Sequence, residues 1–493
     1  MSRLTEQQVD QVARQVMQAL TGASPAAPAS PTGNSVGNTA STIKPATTVQ
    51  DGKKGIFPDV DSAVAAAHRA HLELMEMSLQ KREEMIASIR AKMTKNGEHL
   101  ARMAHRETGL GRLEDKIRKN ALVTRKTPGI EALQPISWTG DHGLTLVELA
   151  PYGVIGAITP VTNPTSSIIC NTIGMVAAGN GVVFNTHPSA KECSRETVEL
   201  INDAITEAGG PANLVTAVDV PTIESAQALM KHPGTRLTVV TGGPGVVKAA
   251  MASGKRSVCA GPGNPPVVVD ETADIDLAAE KIVFGASMDN NIICVDEKEV
   301  FVVESVAGKL VSRMQDFGAI RVPKQMHQQL EDLIFEKNNG PRKKAVMNKS
   351  MIGKNASVIL QKIGMHVEDS VRLAIMEVDA DHPLVWTEQM MPVLPIVRVR
   401  DANTAIDLAK EAEQGNGHSA IMYSRNIDNL SRMARVMNCS IFVKNGPAVA
   451  GLGFEGEGFS SFSIASPTGE GLTGPRTFAR ERRCVMVDHF RIV

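Results

Sequence analysis

The chain predicts an α/β protein built on parallel sheets, and three observations carry that expectation. From Val154 to about Gly263, short β-branched runs alternate with helical periods. Strands are expected over 154–158, 181–184, 214–218 and 237–240, and helices near 166–178, 190–207, 223–230 and 245–252. Crossovers of this length between buried strands predict a parallel sheet. The pattern resumes after Gly263, with strands expected over 266–269, 300–303, 393–397, 421–423 and 441–443. Finally, 493 residues leave room for about two to three domains with full cores.

Composition removes several function classes. With Lys+Arg at 52 and Asp+Glu at 53, the net charge is −1, so nothing points to nucleic acid or an anionic membrane surface. No apolar run approaches the ~20 residues of a membrane span, and no signal-peptide core is present. The cysteines (Cys170, Cys193, Cys259, Cys294, Cys439, Cys484) show no CxxC pair and no Cys/His ligand spacing. That predicts a reducing cytoplasm, no disulfides and no metal site.

The N-terminus reads as a module of its own. Val9, Val12, Ala13, Val16, Met17 and Leu20 form one apolar stripe on a helix, with Thr5 as its cap and Gln8 in the capping-box position. Residues 21–53 are rich in Ala, Pro, Ser, Thr and Gly, a disordered linker by content. A short helix on such a tether suits docking into another protein's groove; the alternative is a helix folded back on its own domain. Its Gln-rich polar face argues against a membrane surface. Helices expected near 64–74, 81–93 and 97–107 look like packing layers without chemistry. Residues 140–156 read as a hairpin opening into a buried strand, and a last strand is expected over 483–487.

Ligands of open parallel sheets sit beyond the carboxyl ends of the strands. Those ends carry Thr159-Pro-Val-Thr-Asn163, Asn185-Thr-His187-Pro-Ser189 and Thr241-Gly242-Gly243-Pro-Gly245. The last motif frees backbone N–H groups for a phosphate at a helix N-terminus, or is a tight turn. Gly451-Leu-Gly453-Phe-Glu-Gly456 matches GxGxxG but precedes no helix, so it is rejected as a dinucleotide fingerprint. Asn163 could offer an amide to a developing oxyanion, or serve turn chemistry before Pro164. Glu388 lies between apolar runs and could hold a ribose, or be a surface carboxylate. Cys294 sits in Ser287-Met-Asp-Asn-Asn-Ile-Ile-Cys294, a small-residue, amide-rich loop between an expected helix and strand. A nucleophilic thiolate wants amides or a cation nearby, whereas a structural cysteine wants a core. Asn290 and Asn291 suit a polar pocket.

Taken in order, Glu107-Thr-Gly-Leu-Gly, Glu114-Asp-Lys, Thr127-Pro-Gly, the Cys294 segment, Val443-Lys-Asn-Gly-Pro447 and Pro467-Thr-Gly-Glu-Gly-Leu-Thr-Gly-Pro-Arg-Thr-Phe478 resemble the aldehyde dehydrogenase superfamily from about Lys54 onward. The nearest resemblance is to the CoA-acylating aldehyde dehydrogenases of bacterial microcompartments, of the ethanolamine and propanediol types. It implies an aldehyde dehydrogenase-like α/β fold: a Rossmann-type cofactor domain (54–263), a catalytic cysteine domain (264–450) and a C-terminal segment (451–493). The hairpin at 136–151 and the last strand would form an oligomerisation arm of a homodimer or homotetramer. Residues 1–20 resemble an encapsulation peptide that docks on a shell protein, inside a cytoplasmic microcompartment.

The resemblance makes Cys294 the nucleophile and Asn163 an oxyanion donor. It places Thr159, Thr241, Gly242 and Gly243 against NAD, His187 and Ser189 near the adenosine ribose, and Glu388 on the nicotinamide ribose. Ala260 stands where hydrolytic relatives carry a water-activating Glu. Without that base a thioacyl intermediate waits for CoA. The implied reaction oxidises a short aldehyde, acetaldehyde before propionaldehyde, with NAD and coenzyme A. The Asn290-Asn291-Ile-Ile-Cys294 pocket wall and the Phe-Arg-Ile-Val end favour acetaldehyde.

Overall fold

The computed structural model describes residues 54–493; the expected N-terminal helix and linker, residues 1–53, lie outside the described residues. The first sheet has six parallel strands: β1 (Ile56–Phe57), β4 (Val154–Ile158), β5 (Gly181–Asn185), β6 (Val215–Val218), β7 (Thr235–Thr241) and β8 (Ser257–Ala260). Its order is β1-β6-β5-β4-β7-β8. The strand Val-Ile-Gly-Ala-Ile is buried throughout, as a strand covered by helices on both faces must be. Gly156 lets a helix approach, since a Cβ there would lie 3.0 Å from Leu229 Cγ. The chain runs outward from β4 through β5 to β6, then returns to the far side of β4 for β7. That reversal opens a crevice between the carboxyl ends of β4 and β7.

The second sheet has seven parallel strands, in the order Ala319–Arg321, Leu373–Glu377, Val393–Val399, β10 (Glu299–Val303), β9 (Pro266–Val269), Ser419–Tyr423, Ile441–Lys444. The chain crosses between the sheets from Ala260 to Pro266. Because β8 leads directly into β9, the carboxyl ends of the first sheet meet the amino ends of the second. A third, antiparallel sheet joins β2 (Ile136–Gly140), β3 (Gly143–Pro151) and Ala479–Val487, which pairs with β3 along its full length.

Helices pack around the first sheet: α1 (Val60–Met75), α2 (Leu79–Thr108), α3 (Leu113–Lys126), α4 (Pro164–Ala177), α5 (Lys191–Glu207), α6 (Ile223–Lys231) and α7 (Pro244–Met251). The expected break at Gly97 does not occur, and α2 runs through it. Met85, Ile89, Met93 and Leu100 are buried along one face, and that burial outweighs the ~1 kcal/mol a helical glycine costs. Gly97 also brings α3 close, its carbonyl accepting from Asn120 Nδ2 at 2.9 Å. Four strands of the two parallel sheets escaped the sequence reading: Ile56–Phe57, Ser257–Ala260 and Ala319–Arg321 are too short for a period, and Leu373-Ala-Ile-Met-Glu377 has little β-branching.

Candidate active site

The loop of Cys294 begins where α8 (Ile275–Ser287) ends. Asp289, Asn290 and Asn291 then take left-handed φ values of 45°, 56° and 65°, which Asn and Asp tolerate best among non-glycines. Buried partners hold this turn. The Asp289 carboxylate accepts from the Arg112 N–H at 2.7 Å, from Lys116 Nζ at 3.1 Å and from Lys119 Nζ. Asn290 accepts from Arg112 Nε at 3.0 Å and donates to Gly353 O at 2.9 Å. Asn291 donates to Ala286 O and Glu297 O, both at 2.9 Å. Two expectations are corrected here. The two asparagines are buried scaffolding of the loop, and with Ile292 and Ile293 also buried this segment is not an open pocket wall. The helical layer that looked inert supplies, from α3, the cations that fasten the nucleophile loop.

Lys298 props the loop from within, donating to Asn291 O at 2.9 Å, Asn291 Oδ1 at 2.7 Å and Ile293 O at 3.2 Å. Its charge favours the thiolate of Cys294, but burial and then the Glu388 carboxylate push the thiol up to about 12. Burial, the largest cause, therefore opposes the thiolate that Lys298 favours. Burial also raises the Glu388 carboxyl, whose Oε1 accepts from the Gly263 N–H at 3.3 Å. Gly263 is wedged so tightly that a Cβ would lie 2.6 Å from Cys294 O and 3.0 Å from His418 Cγ.

His418 is the functional group the sequence reading missed. It ends the glycine-rich turn Gly415-Asn-Gly-His418 just before the strand Ser419–Tyr423. The ring is fully buried, and burial lowers its pKa to about 3, so it is neutral. Nδ1 pairs with Ser419 Oγ at 2.8 Å, while Nε2 has no hydrogen-bond partner among the described residues. A His inside a Gly/Asn turn at a strand's amino end was the available signal.

The first sheet contributes the other face. Thr159, at the end of β4, is buried with its hydroxyl unpartnered. Asn163 precedes α4; its Oδ1 accepts from Lys119 Nζ at 2.6 Å, and its Nδ2 donates to Thr162 Oγ1 at 3.1 Å. Gly242 donates to Ala260 O at 3.1 Å, and Gly243 caps α7 with open space where a side chain would be. His187 Nδ1 accepts from the Ser189 N–H at 3.1 Å after β5. Thr241 ends β7 with its hydroxyl paired to Ser463 Oγ at 2.9 Å. Ala260 closes β8 as a buried methyl. A Thr159 hydroxyl without a partner among the described residues and an α7 N-terminus without a side-chain cap fit a dinucleotide at the β4/β7 crevice.

The structure thus gathers Cys294, Glu388 and His418 around Gly263, and ties Asn163 to the nucleophile loop through Lys119 and Asp289. Residues 32–470 match the aldehyde dehydrogenase family. The chain is 49% identical over 451 residues to an acetaldehyde dehydrogenase (acetylating) of Salmonella typhimurium, covering 91% of this chain and 96% of the relative. It is 45% identical to that organism's propanal dehydrogenase (CoA-propanoylating), covering 92% and 96%. A crystal structure of Rhodopseudomonas palustris propionaldehyde dehydrogenase with bound propionyl-CoA superposes with a TM-score of 0.86 at 48% identity, covering 88% of this chain and 96% of that one. On the sheets, the cysteine loop and these matches together, the chain belongs to the aldehyde dehydrogenase family.

Proposed function

We propose that this protein is a CoA-acylating aldehyde dehydrogenase, converting a short aldehyde, NAD+ and CoA into acyl-CoA and NADH. The observation that carries the acylating reading is Ala260: the end of β8 presents a methyl group and no base to activate water. The similarity to acetylating and propanoylating relatives supports it.

Cys294 gives up its proton to solvent as its sulfur bonds to the aldehyde carbon, because burial and Glu388 raise the thiol beforehand. The carbonyl oxygen becomes an oxyanion, received by the Asn163 amide and the Cys294 N–H. A nicotinamide dinucleotide bound at Thr159, Gly242, Gly243 and Glu388 supplies the hydride acceptor. A thioester on Cys294 remains. His418 accepts a hydrogen bond from the incoming CoA thiol at Nε2 and orients it, and the thiol proton passes to the Cys294 sulfur as that sulfur leaves. The CoA sulfur then displaces Cys294 and carries away the acyl group.

Acetaldehyde is the first substrate, on the similarity to the acetylating relative, and propionaldehyde also turns over, since one methylene is worth only ~1–3 kcal/mol of discrimination. Residues 1–20 recruit the enzyme to a microcompartment shell. The β2–β3 hairpin and the final strand join copies into a dimer or tetramer, an assembly favoured by the exposed apolar Trp138, Val485 and Val487 on this sheet. NADH formation from acetaldehyde and NAD+, with and without CoA and beside Cys294→Ala, tests the chemistry. Turnover that needs both CoA and Cys294 is expected; steady NADH without CoA would restore a hydrolytic enzyme.

A further inference from the structure

We infer that Lys119 is a positioning residue of the oxyanion site, a buried cation that fixes which way the Asn163 amide points. The inference rests on the proposed role of Asn163 in receiving the aldehyde oxygen. Lys119 is 2% exposed, on α3, remote in sequence from both catalytic segments. Its ammonium has only donors to offer, so whatever faces it must be an acceptor. It meets Asn163 Oδ1 at 2.6 Å, Thr162 O at 3.4 Å and the Asp289 carboxylate. That contact settles the orientation of an amide whose two ends are otherwise alike in shape. With Oδ1 held by the ammonium, Nδ2 is turned away from it. One of its N–H groups goes to Thr162 Oγ1 at 3.1 Å, leaving the other for the substrate oxygen. A flipped amide would present an oxygen to an oxyanion and bury two donors against an ammonium.

Charge compensation alone does not explain this lysine. Asp289 already has Lys116 Nζ at 3.1 Å and the Arg112 N–H at 2.7 Å. Lys119 is the partner that continues past the carboxylate to Asn163. Asp289 lies five residues before Cys294, in the left-handed turn that launches the nucleophile loop. One ammonium therefore spans both halves of the oxyanion site, the Asn163 amide and the loop that presents the Cys294 N–H. Its positive charge, in a dry setting, also strengthens Asn163 as a donor by drawing density toward Oδ1.

A double-mutant cycle on the full-length enzyme tests this with Lys119→Met, Asn163→Ala and the pair, read as kcat and KM with acetaldehyde, NAD+ and CoA. Lys119→Leu is run alongside, with a thermal melt of each variant, in case the first folds poorly. Asn163→Ala in the wild type should lower kcat by ~10²–10³-fold. Either Lys119 variant should lower kcat at least ~10-fold with KM for acetaldehyde little changed, and adding Asn163→Ala to it should cost far less than it costs the wild type. Equal cost of Asn163→Ala in both backgrounds, or wild-type kcat in a Lys119 variant, overturns the inference. Wild-type protein inert to aldehyde, NAD+ and CoA would instead overturn the proposed function itself.

Discussion

Replacing Glu388 by Gln should make Cys294 easier to alkylate, although it removes a group expected to hold the cofactor. The wild-type thiol is pushed up to about 12, against 9.0 for an ordinary cysteine, by burial first and the Glu388 carboxylate second. At pH 8 a shift of that size leaves ~10³-fold less thiolate than an ordinary thiol has. Glu388 is the smaller of the two causes, so removing its charge should recover about one pH unit, or ~1.4 kcal/mol. A thiolate of lower pKa is also a weaker nucleophile, which trims the net gain to ~3- to 10-fold in rate. The assay is iodoacetamide modification of the ligand-free protein between pH 7 and 10, following the Cys294 peptide by mass spectrometry so that exposed Cys484 is counted separately. The wild-type rate should climb about tenfold per pH unit across that range without levelling off. A plateau below pH 8, or a Glu388→Gln protein that reacts no faster, would refute a thiol held neutral by burial and this carboxylate.

Other consequences can be checked directly. His418→Ala should keep one rapid turnover of NADH while CoA-dependent steady turnover falls by ~10²-fold, since only the thiol-transfer half loses the acceptor that orients CoA; equal loss of both phases would remove His418 from CoA binding. Gly285→Ala should lower stability by ~1–3 kcal/mol, read as a lower Tm, because the new methyl would overlap the fully buried Glu297 carboxylate that holds the Ala448 N–H at 2.8 Å. Deleting residues 1–52 should leave kcat unchanged and abolish co-sedimentation with shells; lost activity would make the segment part of the fold.

The sheets were legible because they are buried on both faces. Val154–Ile158 and Pro266–Val269 appear in the chain as unbroken apolar runs, and the structure places both at those bounds. Cys294 and Glu388 stood out in their loops, and the structure sets both beside Gly263. Local sequence could not show what depends on residues far apart. Lys116 and Lys119 are charged residues that are buried because Asp289, some 170 residues later, meets them there. The same distance hid the thiol's protonation, which depends on Glu388 and on burial rather than on the neighbouring amides. Asn290 and Asn291 misled for the converse reason: polar side chains can satisfy a strained backbone turn as readily as they can line a pocket.

The measurement that tests the central claim most directly is the fate of Cys294 when CoA is withheld. The protein is mixed with acetaldehyde and NAD+, quenched, and its Cys294 peptide weighed, before and after CoA is added. With a methyl at Ala260 and no base to activate water, one acetyl group should accumulate on Cys294 alongside one equivalent of NADH, and CoA should remove it as acetyl-CoA. Steady NADH and free acetate with an unmodified Cys294 would mean that water reaches the thioester, and the acylating account would be wrong.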